Sequence, residues 1–543
     1  MTLTFEEARR LRTRLGTVWD VMLAPFGRLT PIQADAMPVV LAGRDALLAS
    51  PTASGKTEAA LAPLARRFLD TGREDGPWLV YVVPTRALTA DLGRRLKDLL
   101  AELGIPSAFR TSDTPSLPKS FPPFLFTTPE SLDSLLCRKK DVWRHVGAIV
   151  LDEIHLLDNT YRGDQLRCLL ARLEHGFLQG PVQRILMSAS VPDAAAMAAR
   201  YAPGAEVVGS GTPRDIEFAV VDTVGQALAT CKERKRFKIL LFCNSRKECE
   251  LVADDIVRKR QWPADCVFVH HASLSATVRK ETERSFAEAR AAVCVATTTL
   301  ELGVDIGDVS ATVLFSAPPS PSAFLQRVGR SCRREHTIFA LGVALTQQDR
   351  EALVVMEQLV RRSLLERIEY RPDFSVAVQQ IFSMLFARPT GVEPAVLLGN
   401  VEPICPADVF EDILAHLSLL GWVERQGRTV RASQRVMDLG EKGDLHANIP
   451  EERTVEVVDA STGKRLGSVS PWGAQQQTVL LAGQAWTVTG SEGRRLVANR
   501  ASGLSSGGGF ARHSEFGKYF SLLPQPIRDR MRDERLSGPA PAA

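Results

Sequence analysis

Between residues 45 and 190, short apolar runs alternate with amphipathic stretches. The runs at 46–49, 79–83, 125–126, 148–151 and 185–187 are almost unbroken in apolar residues. That pattern is expected of parallel strands whose two faces are both covered by helices. Residues 203–215 are rich in Gly, Pro and Ser and read as a linker. The alternation then restarts, with strand candidates at 239–243, 267–269, 293–296, 313–315 and 338–341. The fold class is therefore α/β, with two parallel-sheet nucleotide-fold domains in tandem, expected over 1–208 and 209–360. Beyond these, 376–386 and 407–420 read as helices, the second carrying Phe410, Ile413, Leu414, Leu417 and Leu420 at helical spacing. It runs into a predicted hairpin around Gln426-Gly427-Arg428, which outlines a winged helix over 361–440; a helical bundle with an incidental hairpin is the alternative. Residues 441–503 read as a small β domain, with Asp459-Ala460-Ser461-Thr462-Gly463 as a hairpin turn. The stretch 504–543 reads as a mobile tail, with room for one short helix near 527–535.

Composition changes this picture little. A chain of 543 residues exceeds what one hydrophobic core serves. Its 45% hydrophobic and 24% charged content is that of a soluble globular protein. The net charge of +4 does not announce a polyanionic partner, so any basic surface must be local. Nine scattered cysteines without C-x-x-C spacing read as free thiols in a reducing compartment rather than as metal ligands or disulfides. The N-terminal stretch lacks the apolar core of a signal peptide, and no apolar run approaches a membrane span. A cytoplasmic protein without membrane contact is expected.

Chemistry enters at Ser50-Pro51-Thr52-Ala53-Ser54-Gly55-Lys56-Thr57, which follows a predicted strand and opens a predicted helix. In that setting, backbone N–H groups of Thr52, Ala53, Ser54 and Gly55 cradle phosphate, as the helix N-terminus favours. Lys56 reaches the terminal phosphates and the Thr57 hydroxyl ligates Mg2+. A second motif, Asp152-Glu153-Ile154-His155, ends the apolar run at 148–151. There Asp152 can hold the Mg2+ of bound ATP and Glu153 can orient and deprotonate the attacking water.

The second half carries Gln326-Arg327-Val328-Gly329-Arg330-Ser331-Cys332-Arg333. Arginines three apart can be a solvated helix face. They are also what the first half lacks for charge on a γ-phosphoryl group, and such an arginine is worth about 10³–10⁵ in rate. If Arg330 and Arg333 complete the chemistry only on closure, hydrolysis becomes tied to domain motion.

Phosphate loop, D-E-x-H and Q-R-x-G-R in this order resemble the superfamily 2 helicases, whose two domains are RecA-like. The resemblance implies that Gln33 of Pro31-Ile32-Gln33 reads adenine and that Asp305 approaches the ribose. It implies strand contacts at Thr85 and Arg86, at Thr128 and Pro129, at Ser245 and Arg246, and at Thr297 and Thr298. Gln326 and His155 join the hydrolytic set, and Ser188-Ala189-Ser190 is similar to the element linking hydrolysis to movement. Within the superfamily, His271-Ala272-Ser273-Leu274-Ser275, Leu300-Glu301-Leu302-Gly303-Val304-Asp305-Ile306-Gly307 and Leu481-Ala482-Gly483-Gln484-Ala485-Trp486 are most similar to the Lhr (large helicase-related) group. Three positions depart from the common pattern: Ser50 replaces the first loop glycine, Ala53 a second glycine, and Cys332 the last glycine of the arginine motif.

The implied partner is single-stranded nucleic acid, DNA before RNA, held through phosphate and sugar and so without sequence preference. The implied direction is 3′ to 5′. The implied function is an ATP-dependent DNA helicase or translocase in DNA repair or genome defence. An RNA or RNA–DNA hybrid helicase and an ATP-switched clamp subunit are the alternatives; protein partners are not readable. Trp422 is either a duplex-splitting wedge or a core residue, with the core reading preferred, and the basic run 232–236 reads as a solvated patch.

Overall fold

The computed structural model describes residues 5–51, 54–71, 76–112, 120–139, 141–189, 193–209, 214–301, 306–332, 335, 337–362, 364–365, 369–450, 454–470, 478–493, 495–501 and 516–536. The chain divides into two compact units, Met1–Gly211 with Arg367–Glu451 and Ser514–Ala543, and Thr212–Glu366 with Glu452–His513.

The first unit is built on β1 (Ala46–Ala49), β2 (Leu79–Val82), β3 (Ser107–Arg110), β4 (Phe124–Thr127), β5 (Ala148–Leu151), β6 (Gln183–Ser188) and β7 (Glu206–Gly209). They form one sheet in the order β3-β4-β2-β5-β6-β1-β7, parallel throughout. Alternate residues feed two cores. Leu48, Tyr81, Phe126 and Val150 enter one, and Leu47, Val80, Leu125 and Ile149 the other. That double coverage is why the strands read as unbroken apolar runs. The linker expected over 203–215 is corrected at its centre, because Glu206–Gly209 pairs with β1 as the edge strand β7. Its only apolar residues are Val207 and Val208 among Gly- and Pro-rich neighbours, so the pairing with β1 is what reveals it.

The winged-helix outline is present in the same unit. Helices Ser375–Ala387, Pro394–Val401 and Ala407–Leu419 lead into the hairpin Val423–Gln426 and Thr429–Ala432, then helix Gln434–Lys442. A bridge from Val392 to Val430 adds a third strand contact. Trp422 belongs to this core: its ring stacks on Phe382 at 5.4 Å, and the Arg435 guanidinium lies 4.3 Å from its centroid.

The mobile tail expected over 504–543 is corrected for 516–536. Tyr519, Leu523, Ile527 and Met531 are buried in the winged-helix core, and Gln525–Leu536 is helical. Gly517 N donates to Asp373 at 3.0 Å and Tyr519 N to Asn448 at 3.2 Å. The charged residues around those apolar positions form the outer face of an amphipathic helix, which composition alone reads as solvated chain.

The second unit is built on β8 (Asp215–Val221), β9 (Lys238–Phe242), β10 (Val267–His270), β11 (Ala292–Ala296), β12 (Ala311–Phe315) and β13 (Thr337–Val343), parallel in the order β10-β11-β9-β12-β13-β8. A small five-stranded mixed sheet from residues 455–500 shares its core: Val457, Leu466, Val479 and Trp486 pack with Leu241, Val269 and Val293. Polar ties reinforce this. Ser275 N donates to Leu466 O at 2.9 Å and Ser468 N to Ser273 O at 2.8 Å. The Glu250 carboxylate accepts from Ala482 N (2.7 Å) and Gly483 N (2.6 Å) and pairs with His271 at 2.8 Å. The sequence lays these modules end to end. In the fold, the winged helix returns to the first unit and the small sheet joins the second.

Candidate nucleotide and strand-binding sites

The phosphate-loop residues leave the carboxyl end of β1 and open helix Lys56–Thr71. Thr52 and Ala53 lie outside the described residues. Gly55 has φ +88°, and a Cβ there would stand 2.4 Å from the Gln33 amide nitrogen, so only glycine fits. Gln33 donates to Gly55 O at 3.3 Å while its carbonyl accepts from Thr30 N at 3.0 Å, closing a capping box on helix Pro31–Leu41. The Lys56 ammonium is buried and donates to Ser50 O (2.6 Å) and Pro51 O (3.0 Å). Ser54 and Thr57 are half-buried beside it.

Asp152 stands at the end of β5, beside β2 and β6. One carboxylate oxygen accepts from the Tyr81 hydroxyl at 2.8 Å and the other from Glu153 N at 2.9 Å. Burial, and then the adjacent Glu153 charge, push its carboxyl up to about 7, against the Tyr81 bond and the Lys56 ammonium. The Asp152 carboxylate therefore fits a divalent cation, whose charge would favour its ionised form. Glu153 takes a left-handed backbone conformation, φ 43° and ψ 45°. For a non-glycine residue that is strain of the kind held at functional sites. His155 Nδ1 accepts from Ala189 N at 3.3 Å and lies 3.2 Å from Ser188 Oγ and 3.5 Å from Glu153. The D-E-x-H loop is thus wired directly to the Ser188-Ala189 turn after β6; Ser190 lies outside the described residues.

The expected strand contacts share one device. Thr85 caps helix Arg86–Glu102 by accepting from Leu88 N, and Thr128 caps helix Pro129–Arg138 by accepting from Ser131 N. Val82 and Thr127 are partners in adjacent strands, so the two helix N-termini stand side by side at the carboxyl edge of the sheet. Arg86 is exposed at the first of them. The second unit repeats the first half of this arrangement. Ser245 caps helix Arg246–Arg258, and Thr297 opens the turn Thr298–Leu300 after the neighbouring strand. Arg246 donates to Ser273 Oγ at 2.8 Å. Paired N-termini with capping hydroxyls present N–H donors to phosphate.

In the second unit Arg330 is not on a solvated face. Arg330 is buried and donates to Glu301 O, while Gln326 is half-buried on helix Pro321–Val328. Arg333 and Asp305 lie outside the described residues. Sequence reasoning passed over Arg327, 1% exposed, which donates to Glu301 at 2.6 Å and Asn244 at 2.7 Å. The three-residue helical spacing that singled out Arg330 and Arg333 equally pairs 327 with 330. Tyr81 was passed over because it lies inside an apolar strand. The run 232–236 is a paired surface: Arg234 meets Glu217 at 2.9 Å, Arg236 meets Glu335 at 2.5 Å, and Lys232 donates to Gln261 O at 2.8 Å. All nine cysteines are free thiols.

Two parallel sheets in tandem, a lysine-bearing phosphate loop and a D-E-x-H loop in the first, and buried arginines in the second make up the two-domain arrangement of a helicase core. Comparison with known proteins agrees: the DEAD/DEAH box helicase family matches residues 30–198, and the helicase conserved C-terminal domain matches residues 219–335. The chain belongs to the DEAD/DEAH-box helicases and is similar to the Lhr helicases. It is 29% identical to ATP-dependent helicase Lhr-Core protein 2 of Thermococcus barophilus, over 88% of this chain and 63% of that protein. It is 30% identical to ATP-dependent helicase Lhr-Core of Methanothermobacter thermautotrophicus, over 75% of this chain and 53% of that protein. The chain thus spans between about half and two thirds of these relatives' length. The structure of Mycobacterium smegmatis helicase Lhr bound to ssDNA and AMP-PNP superposes with a TM-score of 0.70 at 25% identity, covering 81% of this chain and 63% of that one. A DNA- and AMPPNP-bound MrfA structure shares the fold, with a TM-score of 0.73 at 19% identity over 93% of this chain and 73% of that one. Among the described residues, no helix is long and apolar enough to cross a membrane.

Proposed function

We propose that this chain is an ATP-driven helicase or translocase of single-stranded and forked DNA, moving 3′ to 5′ and serving DNA repair or genome defence. The observation that carries the reading is the linked set Lys56, Asp152, Glu153 and His155, joined through Ser188 and Ala189 to the next strand end. A pure clamp does not need a strained, half-buried Glu153 beside Asp152. In this reading Gln33 selects adenine, residues 52–57 hold the phosphates, and Asp305 approaches the ribose. Thr57 and Asp152 would hold Mg2+, whose charge offsets that of the phosphates. Glu153 draws the proton from the attacking water, and Gln326, Arg330 and Arg333 offset charge on the γ-phosphoryl group. Thr85, Arg86, Thr128 and Pro129 grip the strand in one domain, and Ser245, Arg246, Thr297 and Thr298 in the other. The Lhr structure holding ssDNA and a nucleotide analogue supports DNA as the track.

The test measures ATP turnover with single-stranded DNA, single-stranded RNA or neither, beside Glu153→Gln, then unwinding of forks with 3′ or 5′ tails. DNA stimulation, 3′-tail unwinding and a loss of about 10²–10⁴ in Glu153→Gln are expected. Stronger stimulation by RNA moves the assignment to an RNA helicase, and turnover indifferent to nucleic acid refutes the motor.

A further inference from the structure

The chain enters the winged helix through Glu369-Tyr370-Arg371-Pro372-Asp373, and this segment is fastened to residues that follow the nucleotide-site motifs. The Tyr370 hydroxyl donates to Asp164 Oδ1 at 2.5 Å, and Asp373 N donates to Asp164 Oδ2 at 2.8 Å. Asn159, with φ 58°, clamps the segment from the other side. Its amide donates to Glu369 O at 3.2 Å and its carbonyl accepts from Arg371 N at 3.0 Å. The guanidiniums of Arg167 and Arg200 lie 4.8 and 5.2 Å from the Tyr370 ring centroid.

These anchors follow the nucleotide-site motifs along the chain. Asp158, Asn159 and Asp164 follow the D-E-x-H loop. Arg200 sits on helix Ala194–Tyr201, which follows the Ser188-Ala189 turn, and it holds Asp158 through two hydrogen bonds. On the far side there is no slack. Asp373 accepts from Ser375 N at 3.0 Å, at the start of the buried helix Ser375–Ala387. Buried ionisable contacts stabilise less than well-packed hydrophobic ones of similar size. Directional bonds instead fix register.

We infer that Tyr370 is a positioning residue that carries the state of the nucleotide site to the winged helix, so that ATP turnover and duplex separation stay in step. The coupling to unwinding rests on the helicase reading; the mechanical link does not.

Two measurements on the full chain separate these. The first is hydrogen exchange over Ser375–Ala387 with and without AMP-PNP, in wild type, Tyr370→Ala and Tyr370→Phe. Nucleotide is expected to change protection of that helix in wild type, to change it partly in Tyr370→Phe, which keeps the ring beside both guanidiniums, and to leave it unchanged in Tyr370→Ala. The link is overturned by a nucleotide response that Tyr370→Ala preserves, or by no response in wild type. The second compares DNA-stimulated ATP turnover with fork unwinding. In Tyr370→Ala, turnover is expected to stay within about twofold while unwinding falls at least about tenfold, as remote misplacement can cause. Parallel loss of both with a lowered melting temperature reduces Tyr370 to a structural residue. Wild-type turnover that ignores DNA refutes the helicase reading instead, and leaves the exchange result to decide the link.

Discussion

Asp133→Asn tests what holds the winged helix in the first unit. Asp133 is fully buried and accepts from Arg172 (2.5 Å), Ser383 (2.7 Å), Gln379 (3.1 Å) and His446 (3.1 Å). Asp133, Cys137 and His446 present ligand-type atoms within 4.8 Å of one another. The Arg172 guanidinium already meets Asp133 and lies 3.6 Å from Cys137 Sγ, so an ion network, not a metal, fills the cluster. Asn keeps the shape and removes the charge, leaving Arg172 buried without a counter-ion, a loss of about 3–5 kcal/mol. His446 adds a pH signature. Burial pulls its pKa down, but hydrogen bonds to Asp133 and Cys137 and the charge of Asp133 prevail and raise it from 6.5 to about 9. A raised folded value means stability fully present below pH 6.5 and lost as pH climbs through about 9. At about 1.4 kcal/mol per pH unit, that contribution is about 3 kcal/mol. Urea unfolding followed by tryptophan fluorescence, with Trp422 in the affected core, should show the full difference at pH 6. The difference should shrink by about 3 kcal/mol near pH 10, towards the Arg172 loss alone, as wild type loses its own imidazolium contribution. A difference below about 1 kcal/mol at pH 6, or one equal at both pH values, refutes the network.

Gly55→Ala forces an L-residue into φ +88° and a Cβ against Gln33, so nucleotide affinity measured by calorimetry should fall at least about tenfold with little change in melting temperature. Tyr81→Phe removes one hydrogen bond to Asp152; the Mg2+ concentration for half-maximal turnover should rise several-fold, and an unchanged Mg2+ titration counts against the assigned role. Ending the chain at residue 515 removes Tyr519, Leu523, Ile527 and Met531 from the winged-helix core. At about 1.5–3 kcal/mol per buried apolar side chain, that rivals a domain's whole stability of about 5–15 kcal/mol, so soluble yield should collapse.

Contiguous chemistry was legible. The phosphate loop and the D-E-x-H tetrapeptide each place their functional groups within a few residues on strand ends marked by apolar runs, and the arginine motif does so along and just after one helix. Elements whose partners are distant in sequence were not. Glu206–Gly209 is a strand because β1 lies beside it. Residues 516–536 are ordered because Asp373 and Asn448 receive them. Tyr81 looked like strand filling until Asp152 appeared at its hydroxyl.

By itself the sequence determined the class of machine: strand period, helix caps and the motif residues are local properties that short-range sterics and hydrogen bonding set. The tertiary structure decided how the machine is assembled. It gave the winged helix to the first sheet through Asp133, Arg172 and His446, and the small β-sheet to the second through Glu250 and His271. It also set Tyr370 against Asp164. These are buried polar contacts between residues scores to hundreds of positions apart. Their free energy exists only once burial has stripped away competing water, and no local pattern encodes that.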